Sequence, residues 1–178
     1  MKTILSPHTI LISIAFALAS VLFPYESVAL AHATASANTR VIAQEQHAQR
    51  FASTIEFVNE YRQLTGRAPL SIESTLQTYA QIRAETIVAE GLFSHSNKQG
   101  LNFFQEMSLN NDAPAYACEN LSLSYSNSAE TPFAGWKQSS AHRECMLDSR
   151  MNNVGFAQMV FDIKNGRQRY ITVMIAGS

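Results

Sequence analysis

Three short stretches of the 178-residue sequence hold side chains whose chemistry is worth asking about. "FSHS" carries His95, "CENLS" carries Cys118 and Glu119, and "WKQSSAHREC" carries Ser139, Ser140, His142 and Cys145. Two neutral imidazoles are good nitrogen ligands for Zn²⁺ or a similar divalent cation. A carboxylate beside them is either a third ligand or an acceptor that orients one ring. The same residue types also suit nucleophilic chemistry: Ser139 or Ser140 as nucleophile, His142 or His95 as base, and Glu119 as the orienting acid. Against that reading, the chain has no G-x-S-x-G elbow, and Ser139 lies only three residues before His142. Taken singly, each group also has an ordinary reading. A histidine near an apolar run is commonly a hydrogen-bonded structural residue, a strand glutamate can sit on a solvated face, and paired serines can end a helix. Asn120-Leu121-Ser122 has the form of a glycosylation sequon, a tripeptide that recurs by chance.

These side chains must be positioned by a small number of elements. Phe51, Ile55, Val58 and Tyr61 recur at spacings of four, three and three, which predicts a helix from about Glu45 to a stop at Gly66. Pro69 breaks the chain, and a second helix is expected from about Ser71, with Ile72, Leu76, Tyr79, Ala80 and Ile87 on one face and Gly91 as its C-terminal stop. Residues 92–112 read as irregular, with a helical turn at "LNFFQEM". "AYACENLSLSY" alternates enough to be a strand. "SAETPFAGWKQ" reads as a helix with Ser128 as N-cap and Glu130 near the positive end of its dipole. Asn165-Gly166 between two β-branched and aromatic runs predicts a C-terminal hairpin. The expected fold is α+β, an antiparallel sheet with helices covering it.

Lys2, the apolar run from Thr9 to Phe23 and the small residues around Ala31 and Ala37 read as a signal peptide and leader over residues 1–37, cleaved after Ala31 or Ala37. That apolar run is short for a membrane span, so no transmembrane segment is expected once the signal is removed. The remainder suits one domain. Thirteen basic and fourteen acidic residues leave a net charge of −1, with no basic stripe for nucleic acid and no polybasic segment for an anionic membrane. An exported protein with two cysteines is expected to pair them if they meet; otherwise they are two buried thiols.

The ordered motifs "FVNEYRQLTGRAPL", "LQTYAQIRAETI", "FSHS", "CENLS", "WKQSSAHRECML" and "NNVGFAQ" resemble the CAP superfamily. That superfamily comprises the cysteine-rich secretory, antigen 5 and pathogenesis-related 1 proteins, and the likeness is to its bacterial secreted branch. The resemblance implies a CAP domain over residues 45–178, an α-β-α sandwich with a small antiparallel sheet, and a cleft lined by His95, Glu119 and His142. Ser139 stands where eukaryotic members place a second glutamate, which leaves one carboxylate fewer. Cys118 replaces the usual glycine before the cleft glutamate. If Glu119 and His142 share the cleft, the resemblance favours a Cys118–Cys145 disulfide in its wall. It further implies a secreted protein, extracellular, periplasmic or of the cell envelope, that binds Zn²⁺ or another divalent metal, or a small ligand or envelope component, and is more readily a binding module than an enzyme. A secreted hydrolase using Ser139, His142 and Glu119, and a lipid or cell-envelope binding protein, are the alternatives.

Overall fold

The computed structural model describes residues 54–178. The signal peptide, its two cleavage positions and the first part of the predicted N-terminal helix lie outside these residues. Helix α1 is described over 54–64 and closes at Gly66, whose φ of +74° only glycine adopts without strain. A two-residue strand β1 (Ser71–Ile72) follows, then α2 (Ser74–Glu90), α3 (Phe103–Leu109), β2 (Ala117–Ser124), α4 (Glu130–Gln138), α5 (Ser140–Leu147), β3 (Asn153–Lys164) and β4 (Arg167–Gly177). The strands form one sheet in the order β1-β3-β4-β2.

Side-chain alternation on β4 explains the layering. Ile171, Val173 and Ile175 pack with Leu76, Tyr79, Ala80, Ala84 and Ile87 of α2 and with Phe103 and Met107 of α3. Met174 and Ala176 face the other way, into a core with Val58 of α1, Trp136 of α4 and Met146 of α5. Each sheet face is therefore covered by helices, and the fold is an α+β sandwich. The strands β2, β4 and β3 pair antiparallel as expected, but β1 joins β3 in parallel, so the sheet is mixed.

Several boundaries depart from the periodicity. Ser71 and Ile72 belong to β1 rather than α2, and Ile72 is about half exposed instead of sharing the buried face. The pull comes from the backbone: Ser71 N–H donates to Asn152 O and Glu73 N–H to Val154 O. Glu73 then caps α2, its carboxylate accepting from the Thr75 and Leu76 amides at 2.9 and 2.8 Å. Those bonds hold the Glu73 carboxyl below its ordinary value. Gly91, at φ +63°, ends α2 as predicted. Ser128 precedes α4 by two residues; its hydroxyl accepts from Glu130 N–H, but the capping position itself is Ala129. The predicted helix ends with "WKQ" at Gln138 as expected, but the extended backbone of Ser139 leads at once into a further helix, α5, that the periodicity did not predict. Asn165 and Gly166 have φ of +53° and +72°, the signature of a type I′ hairpin turn, so the β3–β4 hairpin forms where Asn-Gly predicted.

Two side-chain amides extend the sheet and a loop beyond what backbone pairing supplies. Gln77 on α2 donates to Phe156 O at 2.6 Å and accepts from Phe156 N–H at 3.1 Å, in line with β1. Asn59 on α1 does the same for Leu70, at 2.9 and 2.7 Å. The Gln77 contact requires α2 to lie almost on the backbone of β3. A Cβ on Gly155 would sit 2.2 Å from Leu76 C and O.

Gly155→Ala is therefore expected to destabilise the fold by about 3 kcal/mol or more, the upper range for overpacking against a rigid backbone. Gly135→Ala, at a helical position with open space around it, is expected to be neutral or stabilising by up to about 1 kcal/mol. Denaturant midpoints of the two variants at equal m-value check the contrast.

Candidate functional site

The site is organised around a buried carboxylate. Glu119 lies on β2, paired with Ile175 of β4, and its side chain is 2 % exposed. One oxygen, Oε2, accepts from Arg83 Nε at 3.0 Å; the other, Oε1, lies 2.7 Å from His95 Nδ1. Arg83 is on the buried face of α2 and is itself 1 % exposed. Its remaining arm donates to the Ser94 carbonyl, next to the histidine. A single guanidinium thus holds both the acceptor of the His95 bond and the backbone that delivers His95. No motif in the sequence pointed to Arg83; the only available signal was a charged residue in the α2 periodicity, between Ala80 and Ile87.

The loop carrying His95 is braced at its other side as well. Ser96 bridges to Asn102, and Asn97 Oδ1 accepts from the Gln99 and Leu101 amides. Asn97 Nδ2 donates to Glu106 of α3 at 2.7 Å. Asn102 and Gln105 form a capping box that starts α3. The His95 ring is nonetheless 59 % exposed: its Nδ1 edge is tied to Glu119, and Nε2 is left as the free ring nitrogen.

His142 is on α5, one turn before Cys145. Its backbone carbonyl accepts from Asn120 Nδ2 at 2.9 Å, and Cys118 and Cys145 are joined as a disulfide with Cα atoms 5.8 Å apart. Bonds from β2 thus reach α5 from Cys118 and Asn120, on either side of Glu119 in sequence. Asn120 is 1 % exposed and committed to this bond, so the sequon does not present its amide to solvent. At the far end of α5 the buried Arg62 donates to the carbonyls of Met146, Asp148, Ala68 and Met151. Its charge completes the helix C-terminus, although burial first, and Arg67 second, hold its proton affinity down. Trp136 anchors α4 by donating from Nε1 to Leu121 O at 3.0 Å, and both Trp136 and Met146 are core residues.

The two imidazoles are pushed in opposite directions. The hydrogen bond to Glu119 raises the His95 pKa above its ordinary value, against burial and the Arg83 charge. Burial lowers that of His142, and the charge on His95 lowers it further. The rings therefore sense one another. Over the intervening pH range the favoured state is one imidazolium and one neutral imidazole.

Ser139 sits at the α4–α5 junction. Its carbonyl accepts from Arg143 N–H, while its hydroxyl makes no hydrogen bond to His142 or His95. Glu119 pairs with His95 and not with His142. Ser140 is exposed at the first position of α5. Among the described residues, no three His, Cys, Asp or Glu side chains converge as a ready metal-ligand set, and both Glu119 oxygens are already bonded.

Glu119→Gln removes the group that raises His95. With burial and Arg83 left acting alone, the His95 pKa is expected to fall below its ordinary value of about 6.5, and that of His142 to rise as the neighbouring charge is lost. Stability follows with opposite signs. The His95 contribution is complete below about pH 6.5 and is lost as pH rises through its raised value; the His142 contribution is complete above about pH 6.5 and is lost as pH falls through its lowered value. The stability gap between wild type and His95→Ala should accordingly be larger at pH 6 than at pH 8.5. Ring-proton NMR titrations of both proteins and denaturant melts at the two pH values check these shifts.

The comparisons with known proteins bear on this geometry. The profile of the cysteine-rich secretory protein family, CAP, matches residues 55–174. No curated protein matches the chain in sequence. Among solved structures, an outer surface protein of Borrelia burgdorferi superposes with a TM-score of 0.61 at 15 % identity, covering 72 % of this chain and 92 % of that one. An extracellular SCP-domain protein of Bacillus anthracis superposes at 0.59 and 15 % identity, and a cysteine-rich secretory protein of Staphylococcus aureus at 0.52 and 22 %. Each of these covers 72 % of this chain, but the chain spans only 41 % and 39 % of their respective lengths. At these identities the superpositions establish the fold. With the profile match spanning most of the described residues and the sandwich they form, the chain belongs to the CAP family of cysteine-rich secretory proteins.

Proposed function

We propose that this chain is an exported CAP-domain protein that binds a divalent cation through His95 and His142, and that it acts as a binding module rather than as a hydrolase. The observation that carries the reading is the bonding of Glu119. A buried carboxylate that accepts from His95 Nδ1 fixes the neutral tautomer with its lone pair on Nε2, and raises the basicity of that nitrogen. Glu119 acts here by orienting the ring, since Arg83 and His95 occupy its oxygens. A cation such as Zn²⁺ would be held by the His95 and His142 rings, with its remaining positions open to water or to a ligand oxygen, where it would act as a Lewis acid. The two-nitrogen donor set suits zinc and its neighbours better than calcium or magnesium, which prefer oxygen.

Export is supported by the disulfide, which persists in oxidising compartments, and by the secretory family to which the domain belongs. No helix among the described residues is long and apolar enough to cross a membrane. The hydrolase alternative gains no support from the site. Its nucleophile Ser139 lacks the contact with an imidazole that would activate it, and the Glu119 meant to orient His142 is spent on His95. No observation favours a lipid cleft.

Calorimetric titration of the purified domain with Zn²⁺ at pH 7.5 tests the reading. Stoichiometric binding is expected, abolished in His95→Ala/His142→Ala and weakened about 10–100-fold in Glu119→Gln, the usual cost of losing a group that orients a ligand. Because His95 is prone to hold a proton, affinity should drop as pH is lowered through its raised pKa. Binding should also release protons, read as a dependence of the heat on buffer ionisation enthalpy. A folded wild type that gives no heat with zinc would sink the proposal.

A further inference from the structure

The two imidazoles are supported by separate routes, and the routes differ in kind. His95 is held through Glu119 and Ser94 by Arg83, a tether of hydrogen bonds and charge anchored in the α2 core. His142 stands on α5, an eight-residue helix that buries only Cys145 and Met146 and has no side-chain cap at its first turn. A two-turn helix of this kind does not hold its own shape or place. Its far end is held by Arg62. The links from α5 to β2 are one neutral hydrogen bond, from Asn120 to the His142 carbonyl, and, one turn further along, the Cys118–Cys145 disulfide beside the Met146 carbonyl that Arg62 holds. His142 and Cys145 are three residues apart and so lie on the same side of the helix.

We infer that the Cys118–Cys145 disulfide is the positioning device for His142, and that it places the His142 half of the site, but not the His95 half, under redox control. The inference rests on the cation-binding reading for its consequence and on the tethers alone for its structural content. Cys118 is partly buried whereas Cys145 is 7 % exposed, so Cys118 is the less buried residue of the two and the one assigned to attack by a dithiol reductant. The reductant's thiolate attacks Cys118 Sγ, the S–S bond breaks, and Cys145 leaves as a thiolate that takes up a proton. The reductant's second thiol then resolves the mixed disulfide, releasing Cys118 as a thiol and the reductant as its own disulfide. Two electrons and two protons pass to the protein. Afterwards α5 retains Arg62 at one end and the Asn120 bond at the other, and the helix that carries His142 loses its covalent link to the strand that carries Glu119. In an oxidising compartment the site stands assembled; in a reducing one it comes apart from the His142 side.

The test compares wild type with Cys118→Ala/Cys145→Ala, which mimics the broken bond without thiolates that would themselves take up zinc. Two readouts are needed: Zn²⁺ affinity by calorimetry and the ring-proton NMR signals of both histidines in metal-free protein. The expected result is a folded variant with affinity reduced at least 10-fold, a His142 signal that moves or broadens, and a His95 signal unchanged. Equal affinity with both signals unchanged would overturn the inference. If neither protein binds zinc, the cation reading fails, and the NMR comparison still decides the positioning role: a selective change at His142 supports it, and no change refutes it. If the alanine pair does not fold, the wild type in excess dithiothreitol takes its place in the NMR arm. Global unfolding on reduction, or loss of both histidine signals together, would show that the bond supports the whole domain and overturn the inference.

Discussion

The arrangement of this domain hangs on the buried ion pair between Arg83 and Glu119. Both side chains are at most 2 % exposed, and an isolated charge at that depth is severely penalised, so each residue relies on the other for compensation. Removing one partner of such a pair typically costs about 3–5 kcal/mol. The pair also fixes geometry: α2 packs over β3 and β4, and for the two charges to meet Arg83 must reach from it to Glu119 on the neighbouring edge strand β2. That placement is consistent with the close approach at Gly155, where the backbone of α2 rests against β3 at a distance only glycine permits. The surplus bonding capacity of the pair is directed outward. Arg83 uses it on Ser94 and Glu119 on His95, so the demand for charge compensation in the core becomes the rigidity of a surface histidine.

The same logic recurs on the opposite side of the sheet. Arg62 is 1 % exposed and meets a ring of four carbonyls rather than a carboxylate. Several of those oxygens belong to the end of α5 and to the turn after it, the groups a helix terminus leaves without partners. The two buried arginines thus serve two different deficits, an uncompensated carboxylate in one case and orphaned carbonyls in the other. Each ends by holding one of the two histidine-bearing segments. In Asn59 and Gln77 the amides do comparable work, presenting a donor and an acceptor together where backbone pairing has run out.

What could be read from the sequence follows from how local the cause was. The hairpin at Asn165-Gly166 was legible because a two-residue turn with φ > 0 at both positions leaves few other residues to choose from. The stop at Gly91 was legible for a similar reason. The α2 face was legible at Leu76, Tyr79, Ala80 and Ile87, where periodicity reflects a single buried stripe. It failed at Ile72, because backbone pairing to Val154, a residue 82 positions later, outweighed local propensity. The end of the helix at "WKQ" was legible, with paired serines after it, but the helix α5 that follows at once was not: eight residues with only Cys145 and Met146 buried leave too little periodicity to read. Of the site, the motifs brought His95, Glu119, His142 and the cysteines into view through resemblance, not spacing. Arg83 stayed hidden because an arginine in an amphipathic helix reads as a solvated residue until its partner on a strand 36 residues away is known.

The opposed proton affinities of the two histidines are a consequence of this division of support, not an additional feature. A ring tied to a buried carboxylate is driven toward the charged form, and a ring whose links to β2 run through backbone and sulfur answers to burial and then to the charge on His95. Any ligand that enters must therefore settle with an asymmetric pair: it must displace or accept the proton on His95 while meeting a neutral His142. On the proposed reading a dication would do the first at a cost set by pH, and would gain two nitrogens in return. An anion would instead meet a single imidazolium whose charge is already partly answered by Glu119 behind it. Since Glu119 cannot leave Arg83 without stranding a buried charge, the balance between these outcomes is set by the core, and a surface substitution alone will not reverse it.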